Sequence, residues 1–388
     1  MKTVDIIERI EGEAHLKLDW RNGVVKDSRI EFLNFRGFEY ILEGKAPLDA
    51  LIYTPRICGI CGQAHLLATV NALENLYKNA NIELSVPNKA KKLRELGLAI
   101  EILDSHIKWF YMFIMPDVVS LSKDKYKGYE PLKGYKWLNA VKVAGDTMKG
   151  LAIIGGQWPH TSYMIPGGVM CDPTLMELAT IGNYIDQASM FFENSLSGVP
   201  LSEYLQFSST ADLDNLSADL KDFKELSFEH GLNDLGKSYD KFFVISDMLG
   251  FKSGRIKLTN SGKINMDKIR EYDDYSFDAT AKKQGAKKYS WAKTVKYDEQ
   301  YFETGPLARA MIGGRKFVRA IHKEHQDSVF TRVIARVDEI AYLLQKCKKI
   351  IKSIDISEPS FIKPPIKLKD IHYSKAQGVI EAARGSLM

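Results

Sequence analysis

The sequence predicts a mixed α/β chain dominated by helices, with a β-hairpin region at its N-terminus and a core of long helices. Three observations predict this. Apolar and polar residues alternate through HLKLDW and again in VVKDSRIEFLNF, on either side of the turn residues Arg21-Asn22-Gly23. From about Gly62 the apolar period becomes helical. The 388 residues, 45% of them hydrophobic, suffice for a sizeable core shared by two or three packed subdomains.

In chain order, residues 1–60 read as the β-rich region. Leu66, Val70, Leu73 and Tyr77 then recur at helical spacing and make one apolar stripe, so a helix begins near Gly62. After Pro87 a longer helix carries Leu93, Leu96, Ile100, Leu103, Ile107 and Phe110 on one face. Pro116 is expected to stop it, which leaves Asp117 at a helix end. These elements belong to a helical core over 61–204. Residues 205–290, with SSTADLDNLSADLKDF and AKKQGAKK, read as a peripheral, irregular subdomain. The segment 291–388 returns to the core through a helix from about Asp327 to Ser353, striped by Val333, Val337, Ile340, Leu344, Cys347 and Ile351, and finishes in GVIEAARGSLM.

Composition narrows the function. The 54 basic and 49 acidic residues leave a charge of +5, with the lysines spread along the chain and no nucleic-acid motif, so no nucleic-acid partner is expected. Asp5 and Glu8 interrupt the N-terminus before any apolar run forms, unlike a secretory signal, and WFYMFIMPDVVSL is too short to span a bilayer. A cytoplasmic chain, or one held at a membrane by a partner, is the expectation. Four cysteines, Cys58, Cys61, Cys171 and Cys347, are too few for a disulfide framework, and reduced thiols are expected.

Two of them stand in RICGICGQAH. A Cys-x-x-Cys pair, with Gly59 letting the backbone fold tightly, can close a disulfide or chelate one metal. Dithiol redox chemistry expects a βαβ context that the hairpins do not supply, and structural zinc expects a second ligand pair at ribbon or finger spacing. A transition-metal catalytic site stands beside these two readings. His65 follows Cys61 by four residues, so on a helix it shares the face of the pair, as a ligand or as a hydrogen-bond donor to a ligating sulfur. Cys171 and Cys347 read as packing residues, His160 as ordering a turn, and Tyr289, Trp291 and Tyr297 as packing aromatics.

RICGICGQAH also resembles the RxCGxCxxxH signature of the nickel–iron hydrogenase large subunit, at Arg56, Cys58, Gly59, Cys61 and His65. RIEG at 9–12, FRGFE at 35–39, the H-x-x-x-FY run from His106 to Asp117, PHTSYMIPGGV from Pro159, YSWAK from Tyr289, TGPLAR at 304–309 and EAARG at 381–385 resemble further blocks of that family in the same order. The related subunit of respiratory complex I lacks the metal-binding cysteines. The resemblance implies the large-subunit fold, reversible heterolytic cleavage of H2, and a nickel–iron centre with CO and cyanide on the iron. By it, Cys58 is a terminal thiolate on nickel and Cys61 a thiolate bridging nickel and iron. Arg384 then points over the open metal position, oriented by Asp117; Glu11 is the first proton acceptor, and Glu39 helps hold a magnesium or similar ion. An iron–sulfur small subunit is implied as the electron exit, because this chain has no cysteine spacing for a cluster.

The family's second thiolate pair, in a DPCxxCxxH block, has no counterpart here. Three explanations stand: a separate polypeptide carrying CxxCxxH completes the site, the chain is a metal-free scaffold or assembly subunit, or the sequence is truncated. The first is favoured, because the retained cysteines, Glu11 and Arg384 have little use otherwise. Ala383 stands where the family has proline before the arginine, and RIEGEAHL departs from RIEGHL, so the shell around the metals is expected to differ in detail.

Overall fold

The structure, a computed structural model, describes residues 2–4, 13–32, 34–122, 126–257, 260–277, 288–371 and 375–388. Strands β1 (Lys2–Val4), β2 (Ala14–Arg21) and β3 (Val24–Phe32) form an antiparallel sheet in that order. Asn22 and Gly23 join β2 to β3 with φ of 53° and 77°, the left-handed pair that a two-residue hairpin turn requires. Helices α1 (Phe38–Leu42), α2 (Ala50–Tyr53), α3 (Gly62–Asn79), α4 (Asn88–Lys108), α5 (Met115–Val119) and α6 (Tyr135–Gly155) follow. A small hairpin of β4 (Met164–Ile165) and β5 (Gly168–Val169) leads to α7 (Leu175–Phe191), α8 (Leu201–Tyr204) and α9 (Asp219–Glu229). Next come a three-stranded sheet of β6 (Lys241–Val244), β7 (Gly254–Lys257) and β8 (Asn260–Gly262), and the pair β9 (Ile269–Tyr272) and β10 (Thr294–Tyr297). The chain closes with α10 (Pro306–Gly313), α11 (Lys316–His325), α12 (Val329–Ser353) and the hairpin β11 (Ile380–Ala382) and β12 (Gly385–Leu387).

These elements fall into two compact units, residues 1–43 with 265–302 and residues 44–264 with 303–388. In the smaller unit the rings of Phe32 and Phe35 meet Trp291 edge-on at 6.4 and 5.9 Å, so this aromatic packs, as its sequence context suggests. In the larger unit α4 is the central helix and packs against α3, α6 and α12. Its predicted face, from Leu93 to Phe110, is at most 1% exposed. The expected stop at Pro116 is corrected. The helical path runs on through a π-type turn, Trp109–Ile114, and α5 then carries it to Val119. Pro116 falls in the first turn of α5, where its missing N–H is not required, and the wide turn ahead of it gives the ring room. Asp117 therefore sits in a helix's first turn.

Two devices bring the C-terminal segment to α3. The first is a ladder of amides. Asn79, Asn75 and Asn71, at every fourth position of α3, donate to the carbonyls of Lys375, Gln377 and Val379 at 2.6, 2.7 and 3.5 Å. Four residues of helix and two of extended chain cover nearly equal lengths, which is why the spacings match. Gly378 permits the approach: a Cβ there would lie 1.9 Å from the Ala68 carbonyl oxygen.

The second device is a buried guanidinium. Arg309 on α10 donates from Nε and Nη2 to both oxygens of Glu339 on α12, at 2.8 and 2.7 Å. It also donates from Nη1 to Glu381 Oε2 and Ala382 O, at 2.9 and 3.0 Å, and from Nη2 to Ala383 O at 3.4 Å. Glu381 Oε1 accepts from Ile245 N–H and Ser386 Oγ–H, and His106 Nε2–H on α4 donates to Glu339 at 2.9 Å. None of these four charged or titratable side chains is more than 6% exposed. Burial alone would push Glu339 up, but Arg309 and His106 outweigh it and hold it down at about 2. Burial pulls His106 down to about 4 in spite of Glu339.

Removing Glu339 leaves two buried donors of Arg309 unmet and takes away one of its two carboxylates, so Glu339→Ala is expected to cost about 3–5 kcal/mol, seen as a lower urea midpoint. His106 is kept neutral in the fold, whereas an unfolded histidine takes a proton below about 6.5. The unfolded chain then binds more protons between about 6.5 and 4, so this contribution is complete above that window and is lost as pH falls through it. His106→Gln should flatten that part of the stability-against-pH curve.

Candidate metal centre

The Cys-x-x-Cys segment is built at the junction of a turn and a helix. A 3-10 turn, Thr54–Ile57, ends at Cys58, which is extended (φ −142°, ψ 126°), and Cys61 is the cap residue of α3. Gly59 and Ile60 bring the two Cα atoms to 5.4 Å, and the sulfurs are joined as a disulfide. The turn sets the side chains within ordinary disulfide reach, where the sequence leads one to expect reduced thiols. The same approach lets two thiolates meet one metal. Cys58 is buried at 3% exposure and Cys61 is half-buried.

Around the pair the polar groups are buried and specific. Glu101 on α4 accepts from the N–H of Gln63 and of Ala64, the second and third residues of α3, at 2.8 and 3.0 Å. Burial pushes Glu101 up to about 8, against the pull of those two amides and of Arg384. One turn along, burial pushes Asp104 up to about 6 although Lys108 pairs with it at 2.9 Å. Gln63 Nε2–H donates to Tyr163 Oη at 2.7 Å, and His160 Nδ1–H to the Pro55 carbonyl at 3.1 Å, so the loop after α6 fastens the segment from the other side. His160 orders its turn with φ of 68°. Burial pulls His65 down to about 4, which keeps its ring neutral, the form that can ligate a metal or donate a single N–H.

Of the residues expected at a metal site, Cys58 and Cys61 stand together, and Arg384 is an exposed residue between β11 and β12. Strands β11 and β12 lie against α3, and the Arg384 charge acts on Glu101 at the start of that helix and on Arg336 of α12. Arg336 stacks over the Trp109 ring at 3.9 Å, and burial, with Arg309 and Arg384 nearby, pulls it down to about 10. Asp117 is exposed on α5, and Glu39 is exposed in the first turn of α1 in the smaller unit. Glu11 lies outside the described residues. Among the described residues no group of three or more His, Cys, Asp or Glu side chains converges as a metal cage. The chemistry of the donors therefore fits a soft metal ion held by two thiolates from this chain, with the rest of its sphere supplied by other donors.

Sequence reasoning passed over Glu101, Asp104, Arg309, Glu339 and Glu381. One signal for the first two is visible: they interrupt the apolar run GLAIEILDSHI, where an ionisable group needs a buried partner.

The nickel-dependent hydrogenase family matches residues 36–128 and 131–388. The periplasmic [NiFeSe] hydrogenase large subunit of Desulfomicrobium baculatum is 24% identical over 445 residues, covering 100% of this chain and 81% of that protein. An F420-non-reducing hydrogenase subunit of Methanocaldococcus jannaschii is 26% identical, covering 99% and 89%. The alpha subunit of sulfhydrogenase 2 of Pyrococcus furiosus is 32% identical over a shorter stretch, 47% of this chain and 42% of that one. Among solved structures, the reduced Ni-Fe-Se hydrogenase of Desulfovibrio vulgaris Hildenborough superposes with a TM-score of 0.81 at 24% identity, over 99% of this chain and 84% of that one. With the cysteine pair at the start of α3 and a family match running through almost the whole larger unit, the chain belongs to the nickel-dependent hydrogenase family.

Proposed function

We propose that this chain is the part of a hydrogenase large subunit that supplies Cys58 and Cys61 to a nickel–iron centre, and that it takes part in the reversible heterolytic cleavage of H2 to protons and electrons. The observation that carries the reading is the cysteine pair at the start of α3, whose first amides are held by Glu101 within the field of Arg384, in a member of a nickel-dependent family. Bound there, a nickel–iron centre with CO and cyanide on its iron supplies the Lewis-acid and redox chemistry. The chain's own residues set the conditions. Cys58 and Cys61 would hold the centre as thiolates, Cys58 as a ligand of nickel and Cys61 as a ligand of nickel and iron. Arg384 holds a fixed positive charge beside the site, on a backbone that Arg309 pins through the Ala382 and Ala383 carbonyls. Asp117 orients Arg384, Glu11 takes the departing proton, and neutral His65 donates a hydrogen bond toward a ligating sulfur. Glu39 is an oxygen ligand for magnesium or a similar ion.

The other two thiolates come from a separate polypeptide carrying CxxCxxH. Support comes from the remaining cysteines: burial pushes both Cys171 and Cys347 up to about 12, so each stays a neutral thiol, and Cys347 is wholly enclosed on α12. Electrons leave through an iron–sulfur small subunit, in keeping with relatives named as large subunits or large chains. Among the described residues no helix is long and apolar enough to cross a membrane.

Native, anaerobic purification followed by mass spectrometry tests the assembly. A stoichiometric polypeptide containing CxxCxxH, with nickel, iron and the infrared bands of CO and cyanide, is the expected result. Their joint absence with all partners present would favour a metal-free scaffold. In the assembled complex Cys61→Ser should reduce H2 turnover to background, and unchanged turnover would refute the catalytic reading. Arg384→Lys should lower the rate by about 100-fold or more with nickel content intact, measured as H2 oxidation beside metal analysis.

A further inference from the structure

Cys61 stands where a helix is ordinarily capped by its own side chain, yet it makes no capping hydrogen bond to α3. The donors such a side chain would take are the N–H groups of the second and third helical residues. Here both are taken from outside the helix, by the two oxygens of Glu101, at 2.8 and 3.0 Å. Glu101 is 1% exposed, enclosed where α4 meets the first turn of α3. One turn before it on α4 is Gly97, where a Cβ would lie 2.5 Å from both Gln63 Nε2 and Tyr163 Oη. The glycine leaves room against α4 for the Gln63 amide and the Tyr163 hydroxyl it donates to, so the first turn of α3 seats with its amides at Glu101.

The alternative to this arrangement is chemically specific. A thiolate at the start of a helix is drawn to those same N–H groups, which stabilise its charge and occupy its lone pairs. Cys58 precedes the helix by four residues and has no such competitor. Only Cys61 can be diverted, and it is the cysteine whose sulfur faces Cys58 and, on the proposed reading, bridges two metals.

We propose that Glu101 is a positioning residue that caps α3 in place of Cys61 and so leaves the Cys61 sulfur for the metal. The assignment rests on the reading of Cys58 and Cys61 as ligands of the nickel–iron centre. It explains a buried carboxylate that the hydrogenase chemistry does not itself require, since two amide donors are satisfied from α4 and the sulfur keeps its lone pairs.

The test uses the full chain with its co-purifying partners, prepared from nickel-replete and nickel-depleted cells. In the nickel-depleted, reduced protein, iodoacetamide labelling is followed separately at Cys58 and Cys61 by peptide mass spectrometry; in the nickel-replete protein, nickel per chain is measured. With Glu101→Ala the vacated amides stabilise the Cys61 thiolate, so the Cys61-to-Cys58 labelling ratio should rise about tenfold and nickel per chain should fall severalfold. Glu101→Gln keeps one acceptor oxygen and should fall between the two. A folded alanine variant with the parental labelling ratio overturns the assignment, whatever its nickel content, because general loosening would not single out Cys61. Should the alanine variant not fold, the glutamine variant decides by the same ratio, a rise supporting the cap and an unchanged ratio overturning it. Nickel missing from the parental protein overturns the nickel reading instead, and the labelling ratio still decides whether Glu101 is the cap.

Discussion

A guanidinium taken out of water imposes more geometry than any other group in this fold. Arg309 has five N–H donors in a rigid plane, and all five find acceptors: two oxygens of Glu339, one of Glu381, and the carbonyls of Ala382 and Ala383. Those acceptors come from two distant stretches of chain, α12 and the β11–β12 hairpin. Neither could shift without leaving a buried donor or a buried carboxylate unmet, and either loss is costly in a low-dielectric interior. The hairpin therefore docks in one orientation, and residue 384 follows directly from its clamped end. Gly305, one residue before α10, shows how tight the junction is: a Cβ there would sit 2.7 Å from the Arg384 carbonyl oxygen.

The charges near the start of α3 form a set of balanced opposites. Arg309, Arg336 and Arg384 act on one another and on Glu101, Glu339 and Glu381, while Asp104 and Lys108 pair alongside. Their environments differ, and so do their states. Glu339 is locked as an anion between Arg309 and His106, whereas Glu101 is pushed by burial toward neutrality. The buried members of this set, Arg309, Glu101, Glu339 and Glu381, hold their positions out of reach of solvent.

What could be read from the sequence was local. The Asn22-Gly23 turn and the stripes of α3, α4 and α12 are set by residues within a few positions of one another, and each formed where its period placed it. The cysteine pair was equally plain, because its geometry needs only four residues. What escaped was pairing at long range. Nothing within TGPLAR indicates that its arginine meets glutamates 30 and 72 residues away, and nothing within EAARG indicates that its first residue is the partner. Pro116 misled because a widened turn, Trp109–Ile114, precedes it and lets the helical path continue past the ring. The disulfide was likewise a matter of where the turn sets the two side chains, which composition does not report.

The amide ladder between α3 and the returning chain carries its own limit. Four residues of helix rise about 6.0 Å, whereas two residues of extended chain advance about 6.6 Å, so each rung slips by roughly 0.6 Å against the one before. Starting from Asn79 the donor–acceptor distances run 2.6, 2.7 and 3.5 Å, and the third rung is already at the edge of a hydrogen bond. The two scales behave as a vernier that reads true over a short span only. One step further along α3 stands Leu67, which has no amide to donate, so the ladder ends at Val379 and the chain enters β11. The spacing of the three asparagines thus acts as a ruler, measuring out the length of tail that lies on the helix before the hairpin begins.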